Sequence, residues 1–296
     1  MILPGPIQDA DYNAVGYKAL QDIKKRTGAT VAFSESVAVA DAERVGREYI
    51  GSGSNVVIYH GGQFVTIVAK LAREFGSVNF IQESSGQAQG LPPNVWNIGR
   101  KFYQGFYVLG VLAAASTKTN RIGYIAGTRL PDFVASLNAV KVAVQRTNPS
   151  ASVQYAFTGD QNDQIKARET AASQINDGVD FIIVSVNNGV YGIVQAAAAD
   201  AGKHVVTTTY YTDKSKTSPK IFTTSLLADF SKVYLQVIDS IDRGQNGGYV
   251  EMRPGNGFEL APIQNVPRSA ADKAMQTFKD VVANKVDIPE VTDKVN

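Results

Sequence analysis

Short apolar runs alternate along the chain with longer stretches in which apolar residues recur every three or four positions. The short runs are rich in β-branched side chains and end at Gly, Asn or Asp, a pattern that predicts fully buried parallel strands. The longer stretches predict helices that pack one face against such a sheet. Because the two kinds of element alternate, the sequence predicts an α/β fold. Strands are expected at residues 1–4, 30–35, 55–60, 78–82, 95–98, 122–126, 153–157, 181–186, 205–209, 221–225, 249–253 and 258–261.

The stretch at residues 102–116 is apolar almost all round, which predicts a helix that is buried on most sides. Strands and helices alternate over about a hundred residues before it, and the same alternation starts again after it. This arrangement predicts two Rossmann-like lobes in tandem, and two lobes imply a cleft. The run at 95–98 is interpreted as an edge strand that crosses towards the second lobe. The other helices are expected at 14–25, 41–50, 65–75, 132–146, 164–177, 190–201, 230–241 and 270–282.

Charge, hydropathy and cysteine content each exclude certain kinds of protein or site. The 296 residues carry a formal net charge of +2, with Lys and Arg scattered along the chain, so the basic footprint of a nucleic-acid-binding protein is absent. No run of about 18 apolar residues that could span a membrane occurs. The chain has no cysteine, which excludes disulfides, thiolate zinc sites and cysteine nucleophiles.

The motifs that usually mark catalysis are also missing from the sequence. The only histidines are His60 and His204, which are too few for a metal-ligand spacing. There is no nucleophile elbow, phosphate loop or dinucleotide fingerprint, and the glycine-rich residues 51–54 follow a predicted helix and are interpreted as a plain loop. A doubly wound enzyme would need a concentrated acid–base pair, and none is visible. We therefore expect a protein that is not an enzyme and that uses neither a metal nor a cofactor.

Polar and aromatic residues follow the predicted strands, where an open parallel sheet binds its ligands. This set is only lightly charged, so it is suited to hydrogen-bonding and stacking a small, neutral, planar molecule. Asn, Asp and Gly are also the usual residues of turns and caps, so an ordinary structural role is the alternative for each position. The candidate ligand-binding residues are Asp9, Tyr12, Asn13, His60, Gln63, Glu83, Gln161, Asn187, Asn188, Tyr191, Thr209 and Tyr210.

A family resemblance is carried by the apolar helix and the residues that follow it. The helix contains Gly105 and Gly110, and after it come residues 117–119, Thr-Lys-Thr, and a strand that ends at Gly127. With these features the chain resembles the basic membrane protein family, whose members are substrate-binding lipoproteins of bacterial ABC importers. The best understood members take up purine nucleosides. Further matches are Asp9 with Tyr12 and Asn13, Asn148-Pro149, residues 159–163 and 178–180, Gly192 with Ala196-Ala197, and Thr224-Ser225.

The resemblance implies the type I periplasmic binding protein fold, in which two Rossmann-like lobes are joined by a hinge and the chain crosses between them three times. Lobe one would then contain residues 1–100 and about 228–265, and lobe two residues 101–227 and about 266–296. The implied ligand is a purine nucleoside or nucleobase bound in the cleft between the lobes, and the implied partner is an ABC permease. The implied location is extracytoplasmic. Because residues 1–4 resemble the middle of a first strand, we expect a removed upstream segment with a lipid anchor.

Three departures from the family pattern bear on the ligand. Gln161 stands where nucleoside-binding members have an aromatic residue, residues 207–209 stand where they have Gly-Val-Asp, and Ala228 stands where they have a Lys. The family's Asp and Lys are expected to hold the ribose hydroxyls. Their absence makes a free nucleobase or another flat heterocycle nearly as good a candidate, unless Asp213, Lys214 or Asp229 supplies the contacts. A sensory or regulatory module of the same fold, without transport, is the alternative function.

Overall fold

The computed structural model describes residues 1–199, Gly202 and residues 204–295. Its helices are α1 (Tyr12–Thr27), α2 (Val39–Gly51), α3 (Val65–Glu74), α4 (Phe102–Ser116), α5 (Pro131–Thr147), α6 (Gln164–Asn176), α7 (Val190–Ala199), α8 (Phe230–Asp242) and α9 (Arg268–Val282). Its strands are β1 (Val56–Tyr59), β2 (Asn79–Ser84), β3 (Val95–Arg100), β4 (Arg121–Ala126), β5 (Ser152–Phe157), β6 (Phe181–Ser185), β7 (Val206–Tyr211), β8 (Phe222–Ala228), β9 (Gly248–Pro254) and β10 (Gly257–Leu260). The predicted α/β alternation is confirmed, and residues 200 and 201 of one predicted helix lie outside the described residues.

The predicted strands at residues 1–4 and 30–35 are wrong, because these residues form isolated bridges instead. Ile2 bridges to Ser34 on one side and to Tyr59 on the other, both in parallel. Most residues of the stretch 28–35 are exposed, among them Phe33 at 38%. A strand is stabilised by side chains that pack on the sheet, and this stretch buries too few of them to extend the pairing.

The first of two compact units contains Met1–Lys101 and Asp229–Met252. Its strands run in the order β1-β2-β3-β9, and all neighbours are parallel. The prediction that residues 95–98 form an edge strand is therefore wrong. β9, about 150 residues later in the chain, returns to pair with β3, and no local pattern around residues 95–98 indicates that pairing. Burial of Trp96 and Ile98 fits this interior position.

The second unit contains Phe102–Ala228 and Arg253–Asn296. Its strands follow the order β10-β8-β7-β6-β4-β5, with β10 antiparallel to β8 and the others parallel. The predicted buried helix is confirmed, since every residue of α4 from Phe102 to Ala114 except Gln104 is buried. A Cβ on Gly110 would lie 3.0 Å from the Val140 backbone, so glycine at this position lets α4 pack closely on α5.

The chain leaves one unit for the other after Lys101, after Ala228 and after Met252. Each unit is consequently built from segments that are distant in sequence. Among the residues that the structure describes, no helix combines the length and apolar character needed to cross a lipid bilayer.

Candidate ligand-binding site

Asp9 organises the first turn of α1. Its carboxylate accepts hydrogen bonds from the backbone N–H groups of Asp11, Asn13 and Ala14 at 2.9, 2.9 and 3.0 Å, and from Asn13 Nδ2 at 2.7 Å. This is the usual way in which a carboxylate satisfies the unpaired N–H groups of a helix N-terminus. Asn13 is only 7% exposed, and its Oδ1 accepts from the Gly5 N–H at 3.1 Å. Asp9 and Asn13, both predicted to bind the ligand, thus stabilise the start of α1.

Tyr12, at the start of α1, is half-buried and packs against His60, the residue that follows β1. Its ring stacks on the His60 ring with centroids 4.0 Å apart and planes 19° from parallel. The hydroxyl donates to Glu83 Oε2 at 2.8 Å, and the Arg100 guanidinium lies 5.7 Å from the ring centroid. The Phe230 ring meets Tyr12 edge-on at 5.8 Å. These contacts fix the ring while part of Tyr12 stays accessible.

The His60 side chain is completely buried, and both of its ring nitrogens face oxygen atoms. Nε2 lies 2.9 Å from the Tyr12 carbonyl oxygen, which can only accept a hydrogen bond. Nδ1 lies 2.6 Å from Glu83 Oε1 and 2.7 Å from the Tyr234 hydroxyl. A ring with a proton on each nitrogen would satisfy the carbonyl and the carboxylate together, as a buried ion pair requires.

Glu83, the last residue but one of β2, contacts every other polar residue of this cluster and has no exposed surface. It accepts hydrogen bonds from Tyr12 and Tyr234, and the Arg100 Nη1 lies 3.5 Å from its Oε2. Burial alone would raise the pKa of Glu83, but the charges of His60 and Arg100 and the hydrogen bonds outweigh it and hold the pKa below its ordinary value. Burial, followed by the charge on Glu83, raises the pKa of Tyr234 far above its usual range. The Glu83 carboxylate is therefore neutralised within the first unit.

Two residues of this cluster, Arg100 and Tyr234, were not predicted. Arg100 is the last residue of β3, so its position at a strand end was available as a signal. Tyr234 lies on α8, 174 residues from His60 in the chain, and no local pattern connects the two. Gln63, which was predicted, is exposed and lies in a single 3-10 turn (Gly62–Phe64) that follows β1.

In the second unit, the Gln161 side chain lies directly over Gly127, which follows β4. A Cβ built on Gly127 would be 2.4 Å from the Gln161 Cδ. The Gln161 carbonyl oxygen accepts from the Gly189 N–H at 3.1 Å. Gln161 is thus held across the carboxyl ends of β4, β5 and β6, where the sequence predicted ligand contacts. Its side-chain Nε2 and Oε1 are buried, and neither has a hydrogen-bond partner among the described residues.

Other predicted residues of the second unit lie beside Gln161 in the same set of loops. The Asn188 N–H donates to Asn162 Oδ1 at 3.4 Å, and Asn187 Oδ1 accepts from the Tyr210 hydroxyl at 2.9 Å. Asn187, Asn188 and Tyr191 are all half-buried. The amide groups of this loop can therefore offer both donors and acceptors to a ligand.

Tyr210 and Thr209, on β7, are more deeply buried than these amides. Tyr210 is 1% exposed, and its ring packs against those of Phe102, Phe106 and Tyr211. Its hydroxyl, which bonds Asn187, is the part that reaches the loops. Thr209 has no exposed surface, and its Oγ1 has no hydrogen-bond partner among the described residues.

The charged residues that follow β7 and β8 are mostly engaged in hydrogen bonds within the protein. Asp213 Oδ1 accepts from the Ser215 N–H at 2.9 Å, and Asp229 accepts from the Ser231 N–H at 3.1 Å at the start of α8. Lys214, which the sequence analysis named as a possible ribose contact, is only 4% exposed, and its Nζ donates to Thr212 Oγ1 at 2.9 Å. The described part of the chain contains no cluster of three His, Asp or Glu residues that could hold a metal ion.

The sequence matches a protein-family model over residues 1–253, most of its length. That model describes the Bmp family of PnrA-like ABC transporter substrate-binding proteins. The chain belongs to the Bmp family. The resemblance drawn from the apolar helix is confirmed. Membership makes the protein a substrate-binding protein of an ABC transporter, a class that acts outside the cytoplasm and implies a small-molecule ligand and a permease partner.

Relatives within and around the Bmp family carry names of different kinds. A purine-binding protein of Brucella abortus is 26% identical over 280 residues, which cover 92% of this chain and 77% of the relative. A putative glucose-binding protein of Haloferax volcanii is 24% identical over 86% of this chain and 64% of the relative. The transcriptional activator Med of Bacillus subtilis is 22% identical over 86% of this chain and 79% of its own length.

Solved structures show the fold. A solute-binding protein of an ABC transporter system from Conexibacter woesei superposes with a TM-score of 0.80 at 24% identity, over 98% of this chain and 97% of that one. A transcriptional activator of comK from Bacillus halodurans also gives a TM-score of 0.80, at 18% identity, over 96% and 98% of the two chains. The predicted periplasmic binding protein fold is confirmed. Family and fold are those of solute-binding proteins and not of enzymes.

Proposed function

We propose that this Bmp protein binds a neutral, planar, purine-type heterocycle, a nucleobase or a nucleoside, and presents it to an ABC permease. The observation that carries the proposal is the pairing of charges at the predicted site. Glu83 is neutralised by His60 and Arg100, and the Asp9 carboxylate is occupied by helix N–H groups. What remains for a ligand is an aromatic ring and a set of amides, which suit a flat molecule with several hydrogen-bonding atoms.

The proposed ligand contacts are the partly accessible residues of each unit. In the first unit they are the Tyr12 ring and the exposed Gln63, with Asn13 holding the turn that carries Tyr12. In the second unit they are Gln161, Asn187, Asn188 and Tyr191, with Thr209 and Tyr210 behind them. The purine-binding relative from Brucella abortus supports this choice of ligand.

Titration calorimetry against purine bases, nucleosides, flavins and glucose tests the proposal. Glucose belongs in the panel because another relative is named as glucose-binding. We expect a purine or purine nucleoside to bind more tightly than the flavins or glucose. Tight binding of glucose with no heat from any purine would refute the purine proposal and leave the membership of the Bmp family untouched.

The protein is expected to discriminate weakly between a nucleoside and its free base. A site that holds ribose hydroxyls with a buried Asp and Lys loses about 1 to 3 kcal/mol for each group left unpaired by the base. Ala228 has no polar side-chain atom to leave unpaired, Thr209 carries no charge, and Asp213 and Asp229 already accept backbone N–H groups. Both affinities are measured in one buffer. A nucleoside preference above about a hundredfold, roughly 2.7 kcal/mol, would contradict this expectation and point to Lys214 as a ribose contact.

A ligand-responsive regulator is the second candidate function, because Med and the comK activator share the fold over most of this chain. Uptake of the best-binding purine by cells with and without the gene separates the two. Loss of uptake in the deletion strain, restored by the gene, supports import. Unchanged uptake combined with altered transcription would support the regulator. Attachment to the membrane through a lipid remains a prediction of the family resemblance.

A further inference from the structure

Gln161 differs from the other buried amides of the described residues in that both of its polar atoms lack a hydrogen-bond partner. Buried amide groups are nearly always paired, because an unpaired group has lost water without gaining a substitute. Asn94 shows the ordinary arrangement, since its Nδ2 donates to the carbonyl oxygens of Ala72, Phe75 and Val78 at 3.0, 3.1 and 2.8 Å. Gln161 thus holds a donor and an acceptor, side by side, that the fold itself does not use.

The position of this amide is set by glycines. Only the hydrogen of Gly127 leaves room for it, because a Cβ there would lie 2.5 Å from the Gln161 Oε1. The main chain around it is also fixed, since Gly159 N–H donates to the Gly127 carbonyl oxygen at 3.0 Å and Gly189 N–H to that of Gln161 at 3.1 Å. Gln161 as a residue is half-buried, and the next residue, Asn162, is exposed. The Gln161 amide is therefore both held in place and close to the surface.

We propose that Gln161 determines the specificity for the nucleobase. Its side-chain amide would form hydrogen bonds to an edge of the base on which a donor and an acceptor are adjacent. A planar amide can meet such an edge with two parallel hydrogen bonds, as Gln does with adenine in DNA recognition. The N6–H and N1 of adenine and the N1–H and O6 of hypoxanthine both fit, because the amide can be turned by 180°. This inference rests on the proposed purine-type ligand and adds the atoms by which the base is recognised.

The sharpest test replaces the amide by a carboxylate, Gln161→Glu, and compares guanine with hypoxanthine. These bases differ only in the exocyclic N2 amino group. A carboxylate only accepts, so it pairs with the adjacent N1–H and N2–H donors of guanine and is repelled by the O6 of hypoxanthine. The ratio of guanine to hypoxanthine affinity is expected to rise by about 5- to 150-fold over the parent protein, the range typical of one bidentate pair. If the parent prefers ribosides, guanosine and inosine replace the bases.

Gln164→Glu is the matched control. Gln164 is exposed and lies three residues further along, so the variant adds the same charge nearby without changing the proposed contact. We expect its affinity ratio to equal that of the parent. An equal shift in both variants would mean that general electrostatics, and not the Gln161 edge, sets the preference, and would overturn the proposal.

Gln161→Met keeps the test decisive if the carboxylate variant does not fold. Met has a similar length and removes both polar atoms. Because no hydrogen bond within the described protein is lost, the ligand-free variant should unfold at the same or a higher temperature, while its affinity for hypoxanthine falls. A lower unfolding temperature with unchanged affinity would show a structural residue and overturn the inference. If the parent binds no purine at all, both the proposed function and this inference fail. Binding without any effect of either Gln161 variant refutes the inference alone.

Discussion

Replacing Glu83 by Gln is expected to lower the free energy of unfolding of the first unit by about 3 to 5 kcal/mol, the usual cost of breaking a buried ion pair from one side. The substitution keeps the shape of the side chain but removes the buried carboxylate that faces His60 and Arg100. Trp96 is the only tryptophan of the chain and lies in β3, next to β2, so its fluorescence during urea denaturation reports on this unit. Glu48→Gln, which removes an exposed partner of Arg44, is the control and should leave the midpoint unchanged.

The effect of Glu83→Gln should also depend on pH with a definite sign. The folded pKa of Glu83 is below its unfolded value, so its contribution is complete above the unfolded pKa of about 4.3 and is lost as the pH falls through the folded pKa. The difference between parent and variant should therefore shrink as the pH falls below about 4.3. A difference that grew on acidification would show that Glu83 is not held as a carboxylate.

Tyr12→Ala is expected to weaken binding of the best purine ligand by about 2 to 4.5 kcal/mol. This sum combines about 1.5 to 3 kcal/mol for a large side chain that no longer covers the ligand and about 0.5 to 1.5 kcal/mol for the aromatic pair. The ring is already fixed by the 4.0 Å stack on His60 and the 2.8 Å bond to Glu83, so a ligand has little ordering cost to offset. Calorimetry on the folded variant measures the loss.

Tyr12→Phe separates the ring from the hydroxyl. It keeps the stack on His60 and removes the hydroxyl, which donates to Glu83 and accepts from Arg100 Nη1 at 3.4 Å. The variant should therefore bind the ligand nearly as tightly as the parent while unfolding more easily. If Tyr12→Ala also bound the ligand as tightly as the parent, the ring would not contact the ligand and the first-unit half of the proposed site would be wrong.

Local patterns were enough to predict most of the fold, because parallel strands and the helices that cover them have strong signatures of burial. The helix α4 was predicted from its all-round apolar surface. The wrong predictions concern strands whose pairing depends on residues distant in the sequence. The stretch 30–35 has a strand-like composition but stays largely exposed, and β3 becomes an interior strand only because β9 returns to it.

In the candidate site, too, local positions could be predicted but long-range contacts could not. Tyr12, His60 and Glu83 were predicted from their places after strands, and the structure brings them into direct contact. Their mutual pairing could not be predicted, because it depends on Tyr234 from a helix late in the chain. The unpaired amide of Gln161 was equally hidden, since only coordinates show that Gly127 makes room for it and that no polar neighbour reaches it.

The return of β9 has a consequence for synthesis of the protein. β3 gains its second neighbour only when residues 248–252 have been made, about 150 residues after β3 itself. At a typical elongation rate of about 5 to 20 residues per second, the nascent chain exposes this open strand edge for roughly 8 to 30 s. An unpaired edge is a template for pairing with another chain. The unfinished chain therefore carries an open strand edge that the complete chain lacks, and a chaperone that covers exposed strands would act within that interval.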